Sequence, residues 1–144
     1  MIKANGHRGA DGRVEDAEYV FVAYGLPGRS TLGAVLRLRA AGRKVGLIRP
    51  LTAWPFPEKA FAKAGPSLKA FITVEANATG QLVEDVALCA KKIGRGNVPV
   101  YALTYRFGIP PLKRVVEELD KVASGEIKEV FCYGSRAQGA TQYQ

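Results

Sequence analysis

The chain has 144 residues and a formal net charge of +8, with 47% hydrophobic and 24% charged residues. This size and composition are typical of one globular domain that buries a core without disulfides or metals. Its two cysteines and single histidine are too few for an ordinary iron–sulfur cluster or a structural zinc site within one copy. No apolar stretch reaches the roughly 20 residues that cross a bilayer, and the start lacks a signal-peptide core, so we expect a cytoplasmic protein without a membrane partner.

The positive charge would suit nucleic acid or an acidic protein as a partner. The basic residues are dispersed along the chain, however, and two groups of them fall at the ends of predicted helices, where they complement the helix dipole. These groups are Arg37, Arg39, Arg43 and Lys44, and Lys91, Lys92 and Arg95. Because the sequence has no RNA-binding signature and no helix-turn-helix pattern, we do not expect nucleic acid as a partner. A nucleic-acid binder would show steeply salt-dependent binding.

After a polar, glycine-rich leader over residues 1–16, short apolar runs alternate with segments of helical periodicity. The apolar runs predict strands over residues 19–24, 45–49, 70–74 and 98–103. The periodic segments predict helices over residues 31–41, 58–64 and 81–93, and a last helix opened by Pro110 and Pro111. Helix-length crossovers imply parallel strands, so residues 17–133 should form a three-layer α/β/α sandwich. This range includes a short edge strand over residues 126–133, and a polar tail follows over residues 134–144.

The first strand is followed by a glycine-containing turn over residues 25–30 that leads into the first helix, with Ser30 as its expected N-cap. Gly25, Gly28, Arg29 and Ser30 could bind an anion such as phosphate there, because the free N–H groups of a helix N-terminus favour negative charge. The turn matches neither the Walker A sequence nor the GxGxxG fingerprint. A tight turn with only a structural role is the alternative interpretation.

Residues 45–57 read VGLIRPLTAWPFP, an apolar strand that stops at Arg49 and passes into a turn with three prolines. Each proline fixes φ and removes a backbone donor, so the strand cannot continue and Trp54 is held in a stiffened loop. This loop lies at the carboxyl end of a strand, where the functional loops of parallel α/β sheets gather.

The next strand ends in the same way at Glu75, and the turn and helix that follow read ANATGQLVED. If the strands that end at Arg49 and Glu75 are neighbours, the two side chains can form a half-buried ion pair that orders both loops. Direct contact with a partner subunit is the alternative. Glu84 and Asp85 are adjacent in a helix and point about 100° apart, so they do not form a catalytic pair.

Three blocks in this order, Tyr24-Gly25, residues 45–57 and residues 70–86, resemble the transketolase C-terminal-like region (domain II) of the 2-oxoacid:ferredoxin oxidoreductases, in the α subunit or its fused equivalent. The resemblance extends over residues 17–119. It implies a mostly parallel sheet of about five strands with one antiparallel edge. It also implies a split-off subunit or a fragment, because the family has a large thiamine-side domain ahead of this point.

Members of this family oxidatively decarboxylate a 2-oxoacid, form an acyl-CoA and reduce ferredoxin. The resemblance implies that partner subunits, and not this chain, bind thiamine diphosphate, magnesium and the iron–sulfur clusters. We therefore expect no catalytic residue but a non-catalytic assembly domain that contacts the other subunits, with a homo-oligomer as a further option. The predicted interface and loop-ordering residues are Arg49, Thr52, Trp54, Pro55, Glu75, Asn77 and Gln81, and Tyr105 and Arg106 follow the fourth strand at the same edge. A stand-alone anion-binding α/β module is the alternative function.

Overall fold

The computed structural model places residues 13–51, 55–77, 80–105 and 108–128, together with the backbone of residues 2–3 and 8–9. Its strands are β1 (Ile2–Lys3), β2 (Arg8–Gly9), β3 (Tyr19–Val22), β4 (Val45–Arg49), β5 (Ala70–Glu75) and β6 (Val100–Thr104). Its helices are α1 (Gly25–Ala40), α2 (Glu58–Phe61), α3 (Leu82–Lys92) and α4 (Leu112–Ala123). No helix within these stretches is both long and apolar enough to span a membrane.

The six strands of the described residues form one sheet in the order β2-β1-β4-β3-β5-β6. Neighbouring strands run parallel from β1 to β6, and β2 pairs antiparallel with β1 at one edge. At the centre, Val20 of β3 lies opposite Gly46 of β4 and Phe71 of β5. The prediction of a mostly parallel sheet is confirmed. The sheet has six strands instead of about five, because the segment expected to be a leader supplies β1 and β2.

Each central strand contributes to two cores, since successive side chains of a strand point to opposite faces of the sheet. In β3, Val20 and Val22 belong to one core and Phe21 to the other. Helices α2 and α3 cover the first face, and helices α1 and α4 cover the second. The predicted three-layer α/β/α sandwich is therefore confirmed.

The order of the strands opens a crevice at the carboxyl edge of the sheet. β4 lies on one side of β3 and β5 on the other, so α1 and α3 leave this edge toward opposite faces. The loops that follow β3 and β5 consequently diverge. Such a reversal of strand order is the place where open α/β sheets bind their ligands.

Helix α1 begins at Gly25, earlier than the predicted start at residue 31. Tyr24 is its N-cap, with an extended backbone and no side-chain capping hydrogen bond. Pro27 fits into the first turn, because the N–H groups there have no partner within the helix. The Oγ1 of Thr31 donates to the carbonyl oxygen of Pro27 at 2.7 Å. The prediction of Ser30 as the N-cap is wrong, because Ser30 lies in the second turn of the helix.

Part of the segment expected to be a leader packs against the domain. Val14 is fully buried in the first core. The guanidinium of Arg39 on α1 donates to both carboxylate oxygens of Asp16, at 2.7 and 2.8 Å. It also donates to the carbonyl oxygens of Arg13 and Val45. This network joins the segment to α1 and β4.

The chain turns back after α4 without forming the start of the predicted edge strand. The N–H groups of Glu126 and Ile127 donate to the carbonyl oxygen of Lys121, at 2.9 and 3.2 Å. Residues 126 and 127 therefore form a bend instead of the start of a strand. The rest of the predicted strand and the tail over residues 134–144 lie outside the described residues.

Candidate functional site

Glu75 closes strand β5 at the carboxyl edge of the sheet and is only 2% exposed. Both of its carboxylate oxygens accept the backbone N–H of Leu82, the first residue of α3, at 2.9 Å. The Nδ2 of Asn77 donates to the Oε1 of Glu75 at 3.1 Å, and the Oδ1 of Asn77 accepts the N–H of Gly80 at 2.7 Å. These four residues are termed the Glu75 clamp. The clamp fixes the path of the chain from β5 into α3.

Gly80 allows the clamp to close against the neighbouring strand. Its φ is +67°, a left-handed conformation that glycine adopts without a steric cost. A Cβ at this position would lie 3.2 Å from the Cγ2 of Thr104 at the end of β6 and 3.7 Å from the Oε2 of Glu75. Any other side chain would therefore strain the backbone and crowd Thr104.

The Glu75 clamp holds the carboxyl group of Glu75 away from water. Burial raises the pKa of Glu75 above its ordinary value, and the nearby Asp85 carboxylate raises it further. The hydrogen bonds from Leu82 and Asn77 act in the opposite direction, but burial is the largest effect. The geometry supports a positioning role, because the carboxyl oxygens are occupied by groups of the same loop.

The ion pair predicted between Arg49 and Glu75 required neighbouring strands, and this condition is not met. β3 lies between β4, which ends at Arg49, and β5, which ends at Glu75. The side chain of Arg49 lies against α1 instead, since a Cβ at Gly28 would be 2.8 Å from the Nε of Arg49. The predicted pair is therefore wrong, and Gly28 provides the space that Arg49 occupies beside the helix.

Two grooves lie at the carboxyl edge, and Tyr24 lines both of them. The first groove, of about 280 Å³, is lined by Tyr24, Pro50, Leu51, Phe56, Gln81, Leu82 and Asp85. The second groove, of about 420 Å³, is lined by Tyr24, Gly25, Leu26, Pro27, Val74, Glu75, Ala76, Asn77, Gly108 and Ile109. The second groove occupies the crevice between the loops that follow β3 and β5.

Large apolar side chains around these grooves are exposed in the isolated chain. Tyr24, Leu26, Leu51 and Ile109 are each between 46% and 56% exposed. They make up four of the six exposed large hydrophobic residues in the described part of the chain. These four residues are termed the edge patch. Exposed apolar surface that is concentrated in one region is typical of interaction sites.

Tyr105 anchors the end of β6 to helix α4. It is buried, its hydroxyl donates to the Oε2 of Glu118, and the guanidinium of Arg114 lies 5.2 Å from its ring centre. Burial raises the pKa of Tyr105, and the Glu118 carboxylate raises it further. The hydroxyl is thus a neutral donor near neutral pH, and Tyr105 orders its loop. Arg106 lies outside the described residues.

The interface residues predicted from the sequence lie at the ends of β4 and β5 or in the loops that follow, where the structure describes them. These residues are Arg49, Pro55, Glu75, Asn77 and Gln81. Thr52 and Trp54 lie outside the described residues. The sequence reasoning missed the edge patch. The only signal for it was the position of Tyr24 at the end of a predicted strand.

The residues of the predicted anion site, Gly25, Gly28, Arg29 and Ser30, all lie in the first two turns of α1. The prediction relied on Ser30 as an N-cap, and Tyr24 has that position. Gly28 is buried beside Arg49 and does not face a free turn. The anion site stays a prediction.

The described residues do not fit an iron–sulfur or other metal centre. Within them, no three or more His, Cys, Asp or Glu side chains come together in a way that could hold a metal ion. Cys89 on α3 is buried, and burial raises the pKa of its thiol to about 12. A thiol with this pKa is protonated at neutral pH, whereas iron–sulfur clusters are held by thiolates.

The structure is a doubly wound α/β domain with a mostly parallel sheet. The carboxyl edge of this sheet carries the Glu75 clamp and the edge patch. Residues 17–110, more than half of the chain, match the family model described as pyruvate:ferredoxin oxidoreductase core domain II. The chain belongs to this family. The resemblance to domain II of the 2-oxoacid:ferredoxin oxidoreductases is thereby confirmed.

Over 89 residues the chain is 40% identical to the ketoisovalerate oxidoreductase subunit VorB of Methanothermobacter marburgensis. This alignment covers 62% of the chain and 25% of VorB. It is 40% identical over 82 residues to the 2-oxoglutarate synthase subunit KorA of Methanocaldococcus jannaschii. This alignment covers 57% of the chain and 22% of KorA. The solved 2-oxoglutarate:ferredoxin oxidoreductase from Magnetococcus marinus shares the fold, with a TM-score of 0.61 and 23% identity over 79% of this chain and 18% of that one. The chain thus spans about a quarter of the length of these curated relatives.

Proposed function

We propose that the chain is an assembly domain of a thiamine-diphosphate-dependent 2-oxoacid:ferredoxin oxidoreductase and that it docks through the edge patch onto the rest of that enzyme. The enzyme would oxidatively decarboxylate a 2-oxoacid, form an acyl-CoA and pass electrons to ferredoxin. In this proposal, thiamine diphosphate, magnesium and the iron–sulfur clusters belong to other domains or subunits, and the chain contributes to an α subunit. The proposal includes a cytoplasmic location.

The edge patch is the observation that carries this proposal. Its four side chains are about half exposed and line two adjoining grooves. Burial of apolar area contributes about 25 cal/mol per Å², so covering this patch would stabilise a complex. Tyr24 borders both grooves, and tyrosine is one of the residues enriched among the anchors of protein interfaces.

The occupant that we propose is the remainder of the oxidoreductase. VorB and KorA are subunits by name, and about three quarters of each lies outside the part that this chain matches. A domain within such a protein has neighbouring domains that cover part of its surface. The edge patch is the apolar surface of the described residues that best suits such a neighbour.

The Glu75 clamp supports docking by holding one side of the second groove in place. Glu75 and Asn77 line this groove, and their hydrogen bonds fix the loop between β5 and α3. A surface that is already ordered loses less conformational entropy on binding. The clamp is therefore a positioning device for the docking surface.

Capture of partners from the source cell tests the proposal. The full chain carries an affinity tag, and the captured material is assayed for thiamine-dependent 2-oxoacid oxidation with a viologen acceptor. We expect the wild-type chain to bring down thiamine-binding and iron–sulfur subunits with this activity. Tyr24→Asp and Ile109→Asp should each reduce the recovery at least about tenfold, since loss of an interface anchor costs about 2 kcal/mol or more.

Leu36→Asp is the matched control, because Leu36 on α1 is 57% exposed and lines neither groove. This variant should recover as much activity as the wild type, and circular dichroism verifies that all variants are folded. Wild-type chain that captures no such subunit would refute the proposal. Edge-patch variants that recover as much as the control would refute the assignment of the docking surface.

A further inference from the structure

The first groove at the carboxyl edge combines an apolar lining with one acidic side chain. Its polar lining residues are Gln81 and Asp85. Its other described lining residues are apolar or aromatic, namely Tyr24, Pro50, Leu51, Phe56 and Leu82. None of the described residues that line the groove is basic, although the chain as a whole has a net charge of +8. The groove is therefore a local site of negative charge in apolar surroundings.

The carboxylate of Asp85 has no partner within the described part of the chain. It is exposed, and no described residue donates a hydrogen bond to it or forms an ion pair with it. The side chain of Arg49, at the end of β4, lies against α1. In the second groove, by contrast, the carboxylate of Glu75 accepts the N–H groups of the Glu75 clamp. Asp85 is thus the acidic group at this edge that is available to a partner.

The aromatic wall of the first groove is held by the core behind it. The ring of Phe56 stacks on that of Phe61, with 5.3 Å between the ring centres and 29° between the ring planes. Phe61 is fully buried, and its ring centre lies 5.4 Å from that of Phe71 on β5. Tyr24 adds a second ring to the lining, which is 46% exposed. A wall that is already fixed loses little conformational entropy when a side chain packs on it.

We propose that the first groove receives an arginine side chain of the domain or subunit that docks on the edge patch. The identity of this partner rests on the proposed function. The guanidinium forms an ion pair with the carboxylate of Asp85 and donates to the amide oxygen of Gln81. Its flat face packs on the rings of Tyr24 and Phe56, where a cation is attracted by the π electrons.

Arginine fits this lining better than the other side chains that a partner could insert. Its guanidinium is planar and weakly hydrated, so it stacks on aromatic rings and pairs with a carboxylate through two parallel hydrogen bonds. Its five N–H donors are enough for Asp85 and Gln81 together. An apolar side chain would cover the Asp85 carboxylate without giving it a partner, which costs free energy.

The position of Asp85 in the helix is not a sufficient explanation of the groove. The helix dipole favours an acidic residue in the first turn of α3, where Asp85 and Glu84 both lie. This effect is the same whatever surrounds the carboxylate. It does not explain why the carboxylate of Asp85 borders two aromatic rings and the side chain of Gln81, which has no hydrogen bond to a described residue.

Titration of the full chain with N-acetyl-arginine amide, followed by ¹H–¹⁵N NMR, tests the proposal. We expect saturable shifts of the N–H signals of Gln81, Leu82 and Asp85. N-acetyl-citrulline amide is the matched probe, because citrulline has nearly the shape of arginine without its charge. Citrulline amide should bind at least about fivefold more weakly, since it cannot form the ion pair. N-acetyl-lysine amide should also bind more weakly than the arginine probe, because its ammonium group is not planar.

Asp85→Asn should abolish the preference for the arginine probe over the citrulline probe. Glu84→Gln is the matched control and should keep this preference, because Glu84 is exposed in the same helical turn but lines neither groove. Both variants remove one negative charge from the first turn of α3, so a general electrostatic effect would be common to both. Circular dichroism verifies that both variants are folded. In the capture experiment, Asp85→Asn should also recover fewer oxidoreductase subunits than Glu84→Gln.

Equal binding of the arginine and citrulline probes overturns the proposal, and so does an Asp85→Asn chain that keeps the preference. A lysine probe that binds as tightly as the arginine probe overturns the assignment of arginine. Equal recovery of subunits by Asp85→Asn and Glu84→Gln shows that the docked partner does not use this ion pair. The probes need no other subunit, so this proposal and the proposed function can fail independently. A chain that binds the arginine probe but captures no such subunit refutes the identity of the partner and supports the chemistry of the groove.

Discussion

Glu75 illustrates how one buried carboxyl group can organise an edge of a sheet. Its oxygens accept the N–H of Leu82, so a donor at the N-terminus of α3 is satisfied from within the chain. The cost of burying the carboxyl group is offset in part by the hydrogen bonds from Leu82 and Asn77. The residue thus acts as a local tie between a strand and the helix that follows it.

Glu75→Gln is expected to change how stability depends on pH. Burial raises the pKa of Glu75 in the folded chain above its usual 4.5, so the folded state holds the proton more tightly than the unfolded state. The stability contributed by this difference is fully present below the unfolded pKa and is lost as pH rises through the folded pKa. The unfolding free energy of the wild type minus that of Glu75→Gln should therefore fall with rising pH and then level off, as measured by urea unfolding.

Asp16→Asn is the control with the opposite sign. The hydrogen bond from Arg39 holds the pKa of Asp16 below its usual 3.8, and the stability it contributes is present above this value and lost as pH falls. The unfolding free energy of the wild type minus that of Asp16→Asn should therefore rise with pH across the acidic range. If the unfolding free energy of the wild type minus that of Glu75→Gln rises with pH or stays constant, the pKa of Glu75 is not raised in the folded chain.

At the scale of the elements, the turn after α2 is held against the segment that precedes β3. A Cβ at Gly65 would lie 1.9 Å from the carbonyl oxygen of Glu15, so the two backbones are in direct contact. The guanidinium of Arg95, which follows α3, donates to the carbonyl oxygens of Ala64 and Gly65 at 2.7 and 3.1 Å. The turn is therefore fixed from two sides.

Gly65→Ala should lower the free energy of unfolding by about 1–3 kcal/mol, because the new methyl group meets backbone that cannot rotate away. Gly33→Ala is the matched control. Its Cβ would lie 2.6 Å from the Cδ1 of Leu112, the end of a flexible side chain that can move. Alanine in a helix is also favoured over glycine by about 1 kcal/mol, so this variant should be at least as stable as the wild type. If urea unfolding shows that both variants lose the same free energy of unfolding relative to the wild type, the prediction is contradicted.

The sequence predicted strands β3 to β6 and helices α2 to α4, because short apolar runs and helical spacing are local signals. The start of α1 could not be predicted in this way, since the sequence GLPG is typical of a turn. A first helical turn tolerates proline, and the packing of α1 on the sheet decides the outcome. Strands β1 and β2 have two residues each, and β1, which β2 joins, pairs with the distant β4, a contact that no local pattern encodes.

For the molecule as a whole, the central sheet joins the two cores. In β5, Phe71 belongs to the core under α2 and α3, whereas Ile72 belongs to the core under α1 and α4. Loss of packing on either face therefore weakens the same strand. We expect the two cores to unfold together, as in most single domains of this size.

Phe71→Ala and Ile72→Ala should lower the free energy of unfolding by about 3–5 and about 2–5 kcal/mol, because each leaves a cavity in one of the two cores. In both variants, the loss of helix in far-ultraviolet circular dichroism and the loss of side-chain packing in near-ultraviolet circular dichroism should coincide in one transition. Two separate transitions in either variant would show that the faces unfold independently.

The sequence predicted part of the candidate site, because the carboxyl ends of parallel strands meet at one edge of a sheet. This rule predicts the positions of Glu75, Asn77 and Gln81 at that edge. The order of the strands does not follow from it, and the predicted contact between Arg49 and Glu75 failed for this reason. The edge patch could not be predicted either, since its exposure depends on how the segments after β3, β4 and β6 come together.

The position of Tyr24 between the two grooves has a consequence for the energetics of docking. Because the same side chain borders both grooves, a change of its rotamer alters the lining of both at once. We therefore expect occupation of one groove to change the free energy of occupying the other. A partner that inserts side chains into both grooves would then meet one coupled surface instead of two independent pockets.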